Sequence, residues 1–166
     1  MLRRPTPDRP GPGQQSVWDF PRPPAVVHSS EHVRVEFAGH VVADGADAYV
    51  VCETSHPPVY YLSSRDVDLT VLEPVAARTW CEFKGQAAYF DLVVGDRRSA
   101  TAAWAYPSPA PGYESLAGRV TFYPQRVDRI TVDGEPVRAV AGDYYGGWIT
   151  SRVSGPFKGG PGTEGW

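Results

Sequence analysis

Proline and glycine decide most of what this chain can become. Seventeen of each stand among 166 residues, and they gather at the two ends. Pro5, Pro7, Pro10, Pro12, Pro21, Pro23 and Pro24 crowd the start, and the end reads G-P-F-K-G-G-P-G-T-E-G-W. Proline lacks an amide hydrogen and clashes with the preceding turn of a helix. Neither end can therefore be a helix or a central strand.

Between the ends, the same breakers separate short runs that alternate polar and apolar residues. His32–Phe37 places Val33, Val35 and Phe37 on one face, Gly39 turns the chain, and His40–Asp44 returns. Ala48–Glu53, Val59–Leu62, Val67–Leu72, Thr79–Phe83, Gln86–Val94, Arg97–Tyr106, Gly118–Tyr123 and Arg126–Val132 follow as further strands. Asp133-Gly134 predicts a hairpin turn, which Val137–Val140 would complete. A period of two over such runs marks half-buried strands, and their spacing marks an antiparallel sandwich, barrel or folded sheet. Only Tyr113–Ala117 offers a helical turn, and Ser64-Arg65-Asp66 reads as a polar turn.

This divides the chain into a proline-rich N-terminal arm (1–24), a β domain (25–142) and a glycine- and proline-rich C-terminal arm (143–166). By composition the arms read as disordered tails. Their aromatics argue otherwise: Trp18, Phe20, Trp148, Phe157 and Trp166 would each forfeit about 2–3 kcal/mol of burial if left in water. Docking of both aromatic segments onto the domain is expected.

Charge and cysteine usage narrow the function. The net charge is −3, which argues against a nucleic-acid partner, since that needs a basic face. No apolar run approaches the roughly 18 residues of a membrane span, and no apolar segment follows Arg3 and Arg4 as in a secretory signal. The expected compartment is the cytoplasm. Cys52 and Cys81 form no C-x-x-C pair, so no metal and no cofactor are expected, and the two should be thiols in a reducing compartment. His28, His32 and His40 lack ligand spacing. His56, in a loop before Pro57, is the one catalytic candidate among the histidines, against the plainer reading of a surface residue.

The chemistry-bearing candidates are Glu53, Cys81 and Lys84. Glu53 ends a strand whose face it shares with Tyr49 and Val51; it is either a pocket acid or a charge at a sheet edge. Cys81 and Lys84 flank the Phe83-Lys84-Gly85 turn. An ammonium beside the thiol would favour a nucleophilic thiolate, whereas the plain reading is a buried thiol and a solvated lysine. Tyr61, Tyr89, Trp104 and Tyr106 suit the wall of a ligand pocket, each with an apolar body and a polar tip, and equally suit a core.

Thr79-Trp80-Cys81-Glu82-Phe83-Lys84-Gly85-Gln86-Ala87 resembles the signature C-P-Y-K-G-x-A-x-Y of the bacterial family known as domain of unknown function four-two-seven. Cys81, Phe83, Lys84, Gly85, Ala87 and Tyr89 stand in register, and Glu82 replaces the proline. Glu53 followed by Tyr60-Tyr61, then Arg65-Asp66-Val67, Ala103-Trp104-Ala105-Tyr106-Pro107 and Val120-Thr121-Phe122-Tyr123 are similar to its other blocks. The resemblance covers about 33–132, and both ends resemble an actinobacterial-type subgroup. It implies a single antiparallel folded-over sheet of the β-tent, or Mss4-like, kind. Relatives of that shape hold zinc between C-x-x-C pairs, which this chain lacks. A link of the family to nucleotidyltransferases finds no glycine-rich phosphate loop or paired-aspartate site here.

Three functions of different class remain open, the third being a purely structural or regulatory role with no pocket. The first is a domain that binds a small molecule, as an enzyme or a receptor, through Glu53, Cys81 and Lys84 with the four aromatics. The second is a non-catalytic interaction module, such as a homodimer whose aromatic arms clasp a neighbour.

Overall fold

The computed structural model describes residues 3–166. Among them there is no α-helix, and short strands carry the fold. They are β1 (Gln15–Ser16), β2 (Ala25–Ser29), β3 (Val33–Phe37), β4 (His40–Gly45) and β5 (Ala48–Cys52). Then come β6 (Val59–Ser63), β7 (Leu72–Cys81), β8 (Gly85–Val94), β9 (Arg97–Ala105) and β10 (Arg119–Phe122). The last are β11 (Arg129–Val132), β12 (Glu135–Pro136), β13 (Arg138–Ala139), β14 (Trp148–Ile149) and β15 (Val153–Ser154).

Two principal sheets form. One has seven strands in the order β2-β5-β6-β10-β9-β8-β7, and the other four in the order β12-β11-β3-β4. Both are antiparallel throughout. The seven-stranded sheet is open, with β2 and β7 as its edges. Apart from the small pairs β1-β15 and β13-β14, the strands thus divide between two sheets where the sequence reading expected one. The reason lies in β3, whose Val33, Val35 and Phe37 are all buried while Arg34 and Glu36 are not. A sheet with one apolar face is stabilised by layering that face over another. The four-stranded sheet covers the seven-stranded one, with Ala43 bridged to Val67 between them.

The main core is what this layering encloses. Val33, Val35, Phe37, Val42, Ile130 and Val132 come from one side. Val50, Tyr60, Leu62, Leu92, Val120 and Phe122 come from the other. Alternation along β5 and β6 sends the intervening residues, Tyr49, Val51 and Tyr61, into a second apolar cluster on the outer face of the seven-stranded sheet. That face has no second sheet over it, and the site is built there.

Several boundaries differ from the sequence reading. Ala25–Ser29, not anticipated, is edge strand β2, paired with β5 from Ala25↔Cys52 to Ser29↔Ala48. Val67–Leu72 is not one strand. The Asp68 carboxylate accepts from the Thr70 amide and caps a 3-10 turn over Leu69–Val71, so β7 begins only at Leu72. β7 then runs through Pro74, which an edge strand tolerates. The Asp133-Gly134 turn is present with both φ values positive, 49° and 80°, as a two-residue hairpin loop requires. Its return is Glu135–Pro136, and the next strand, β13, pairs with β14 instead.

The end segments pack on each other and on the sheets. β1 pairs with β15 in parallel. Val17, Trp18, Phe20 and Val153 form a third apolar cluster, joined by Phe157 and Trp166. Trp148 is wholly buried in the main core, stacked on Tyr60 at 5.1 Å between ring centroids. Its indole nitrogen donates to the Phe122 carbonyl at 3.0 Å. No helix among the described residues is long and apolar enough to cross a membrane.

Candidate functional site

The outer face of the seven-stranded sheet carries a cleft of about 720 Å³. Its aromatic floor follows from register. Tyr61 on β6, Tyr89 on β8 and Trp104 on β9 all join the outer cluster, and Tyr89 stands opposite Trp104 in the ladder. The Trp104 indole donates to the Tyr61 hydroxyl at 3.2 Å, and the Tyr61 and Tyr106 rings lie 6.0 Å apart. Tyr89 shares a hydrogen bond of 2.7 Å with Thr79. Burial pushes the Tyr61 and Tyr106 phenols well above the usual tyrosine range. Both stay neutral and act as dipoles rather than anions.

The β7–β8 hairpin supplies the thiol and the amine. Cys81 pairs with Gly85 across it, leaving Glu82, Phe83 and Lys84 as the loop. Gly85 has φ +105°, and a side chain there would press on the backbone of Ser108 and Ala110. The loop is held from below by the Ala110 amide, which donates to the Lys84 carbonyl at 2.9 Å. The Lys84 ammonium rests 5.8 Å from the centre of the Tyr106 ring.

Glu53 and His56 stand on the loop after β5. Glu53 is 3.3 Å from Arg22 and 3.7 Å from the His56 Nδ1. That Nδ1 lies 2.8 Å from the Thr54 carbonyl oxygen. A carbonyl only accepts, so Nδ1 carries the proton and Nε2 of the neutral ring keeps its lone pair. Desolvation by burial lowers the pKa of His56, against the opposing pull of Glu53. At neutral pH the ring is an uncharged base.

This loop is strained and doubly fastened. Ser55, fully buried, has φ +72°, a conformation that costs a non-glycine residue of order 1–3 kcal/mol. Its amide donates to the Val17 carbonyl, and its own carbonyl accepts from the Lys158 amide at 2.9 Å. Both ends of the chain therefore hold the segment that bears the acid and the histidine.

Residues 143–147 strap the far side of the cleft. Arg126 binds the Asp143 carboxylate and its backbone carbonyl, the latter at 2.9 Å, and also the Thr101 carbonyl at 2.6 Å. Gln125 donates to the Tyr145 carbonyl. Gly146 lies flat on Trp104 and Tyr123, where an added Cβ would come within 2.5 Å of the indole. Gly147 lies against Pro57, where an added Cβ would come within 2.9 Å of its ring.

A family model described as Domain of unknown function (DUF427) matches residues 25–133. The chain belongs to this family. No curated protein matches it. The DUF427 match includes Glu53, His56, Cys81, Lys84 and the four aromatics. Arg22, which contacts Glu53, and the 143–147 strap lie outside it.

All seven residues singled out in the sequence, Glu53, Tyr61, Cys81, Lys84, Tyr89, Trp104 and Tyr106, line this one cleft of the DUF427 chain. Glu53 and Cys81 are part-buried. His56, whose plainer reading was a surface residue, has its side chain only 20 % exposed and lines the cleft too. Its place could have been suspected from Pro57-Pro58, which stiffens the loop against the sheet. Arg126 and Tyr123 were missed because their role depends on Asp143 and Gly146, partners with no sequence pattern linking them. Among the described residues, no three His, Cys, Asp or Glu side chains gather as ligands for a metal ion.

Proposed function

We propose that this cleft binds a small organic molecule. Tyr61, Tyr89, Trp104 and Tyr106 form its walls, and Glu53, Cys81 and Lys84 are its polar contacts. The observation that carries the reading is the gathering of these side chains, from five separate stretches of chain, around one cleft of about 720 Å³. That is within the roughly 300–1,000 Å³ of ligand pockets, which are apolar with a few convergent polar groups. The neutral His56 ring, with Glu53 beside it, gives the site a base able to take a proton from a bound molecule. Catalysis of a proton transfer is the activity these groups would support.

The test is native mass spectrometry of the full chain, purified gently, together with a thermal-shift screen of small organic acids, amines and alcohols. A bound mass or a stabilising compound is expected, lost in Trp104→Ala and retained in Leu69→Ala, which alters an exposed side chain outside the cleft. Binding that survives Trp104→Ala would place the ligand elsewhere and overturn the reading.

A second reading is a homodimer through the β7 edge. Trp80, 74 % exposed on that edge strand, favours it. Sedimentation of the full chain and of Trp80→Ala separates the two. A cytoplasmic location agrees with two free thiols. Kinship with the β-tent shape is supported by β10, whose first two residues pair with β6 and last two with β9, so that the wide sheet turns there.

A further inference from the structure

We infer that the ligand of this cleft is an aromatic carboxylic acid whose carboxylate is held by Lys84. The inference rests on the cleft being a ligand site and adds the class of ligand.

The argument starts from which charges are already satisfied. Arg126 is taken up by Asp143 and Thr101. Arg22 is taken up by Glu53 and the Thr54 carbonyl. Lys158 donates to the carbonyls of Glu164 and Trp166. Lys84 differs: among the described residues its ammonium makes no hydrogen bond and no ion pair, although the residue is part-buried and lines the cleft. The ammonium lies over the Tyr106 ring, 5.8 Å from its centroid. Of the carboxylates lining the cleft, Glu53 and Asp143 are paired. Glu82, on the same turn, is exposed and forms no ion pair among the described residues.

A half-desolvated ammonium gains most from an anionic acceptor that enters the same cleft. The floor cannot supply one, because the Tyr61 and Tyr106 phenols remain protonated. A single free lysine matches a single negative charge. A phosphate dianion calls for a second free cation or an array of amides, and the guanidinium nearest at hand is spoken for by Asp143. The walls are rings: Tyr61, Tyr89, Trp104, Tyr106, Tyr123 and Tyr145. Flat unsaturated ligands stack on such faces or meet their edges. A carboxylate for Lys84 and a ring for the walls describe an aromatic acid.

The experiment uses the full chain and five probes: benzoate, indole-3-acetate, the amide of each, and phenyl phosphate to test the anion type. Affinities are read by calorimetry or ligand-observed NMR in wild type, Lys84→Met, Lys84→Arg and Trp104→Ala. At least one acid should bind ten-fold or more tightly than its amide. Lys84→Met should abolish that preference, Lys84→Arg should keep it, and Trp104→Ala should weaken acid and amide alike. Acid and amide binding equally would overturn the anion assignment and leave the cleft reading standing. A preference for acid that persists in Lys84→Met would overturn the role of Lys84. Phenyl phosphate binding more tightly than both acids would overturn the carboxylate class. No binding by any probe, with the wild type also silent in the broader screen, would remove the cleft reading itself.

Discussion

Arg22 and Glu53 stand 3.3 Å apart, joining a proline-rich segment to the acid of the cleft. Arg22 also donates to the Thr54 carbonyl at 3.0 Å. The pair is partly open to solvent, with side chains 42 % and 19 % exposed. Arg22→Ala should therefore cost no more than about 1 kcal/mol in urea unfolding. Amide hydrogen exchange across 53–56 should accelerate all the same. Unchanged exchange there would mean that Val17 and Lys158 suffice to hold the loop.

The histidine gives a pH signature. Burial depresses the pKa of His56 in the folded chain, while the unfolded chain titrates near the ordinary value of about 6.5. As pH falls through that value the unfolded state takes up the proton first. The contribution of neutral His56 to stability is therefore full above about 6.5 and is lost as pH drops toward the depressed folded value. Unfolding measured from pH 8 to 5 should show this loss in wild type, and His56→Gln should remove that part of the slope.

The two thiols should react at different rates. Burial pushes the Cys52 thiol up to about 11, and Cys52 packs between two apolar clusters. Cys81 lines the cleft. Iodoacetamide at pH 8 should label Cys81 well before Cys52, because the thiolate is the reacting form. Peptide mapping after timed quenching reads the order, and equal rates would contradict the burial of Cys52.

Gly146→Ala should disturb the strap. A Cβ would sit 2.5 Å from the Trp104 ring and 3.0 Å from that of Tyr123. Either the strap lifts or the indole turns, at about 1–3 kcal/mol for an overpacked contact. Tryptophan emission should shift along with stability. A variant with wild-type stability and emission would show that residues 143–147 do not rest on the aromatic floor.

Trp148→Ala removes a wholly buried indole and should cost about 3–5 kcal/mol. Trp148→Phe keeps the stacking on Tyr60 but leaves the Phe122 carbonyl without its donor. That loss should be smaller, about 1–3 kcal/mol. Denaturant titration of both variants separates packing from the hydrogen bond.

The sequence made the strands legible wherever alternation was strong, as in Val33, Val35 and Phe37. It also pointed to the seven cleft residues, because an acid at a strand end and a lysine beside a turn glycine are unusual in a plain sheet. It did not reveal that Tyr60 and Tyr61 serve different layers. Adjacent tyrosines look alike until two covering faces exist, and only then does one stack on Trp148 while the other receives the Trp104 indole. The division into two sheets was hidden for a related reason. Which strands pair is set by contacts such as β3 with β11, some ninety residues apart, and local pattern carries no such information. Ser55 was equally silent, since its positive φ is imposed from Val17 and Lys158.

The pairing of β1 with β15 has a consequence for biosynthesis. Glu53 and His56 leave the ribosome early, but part of the backbone that fixes their loop arrives only with residues 153–158. The strands of the two principal sheets all lie before that segment. The loop at 53–56 is therefore set only once residues 153–158 have been made, so the cleft cannot select a ligand before they arrive.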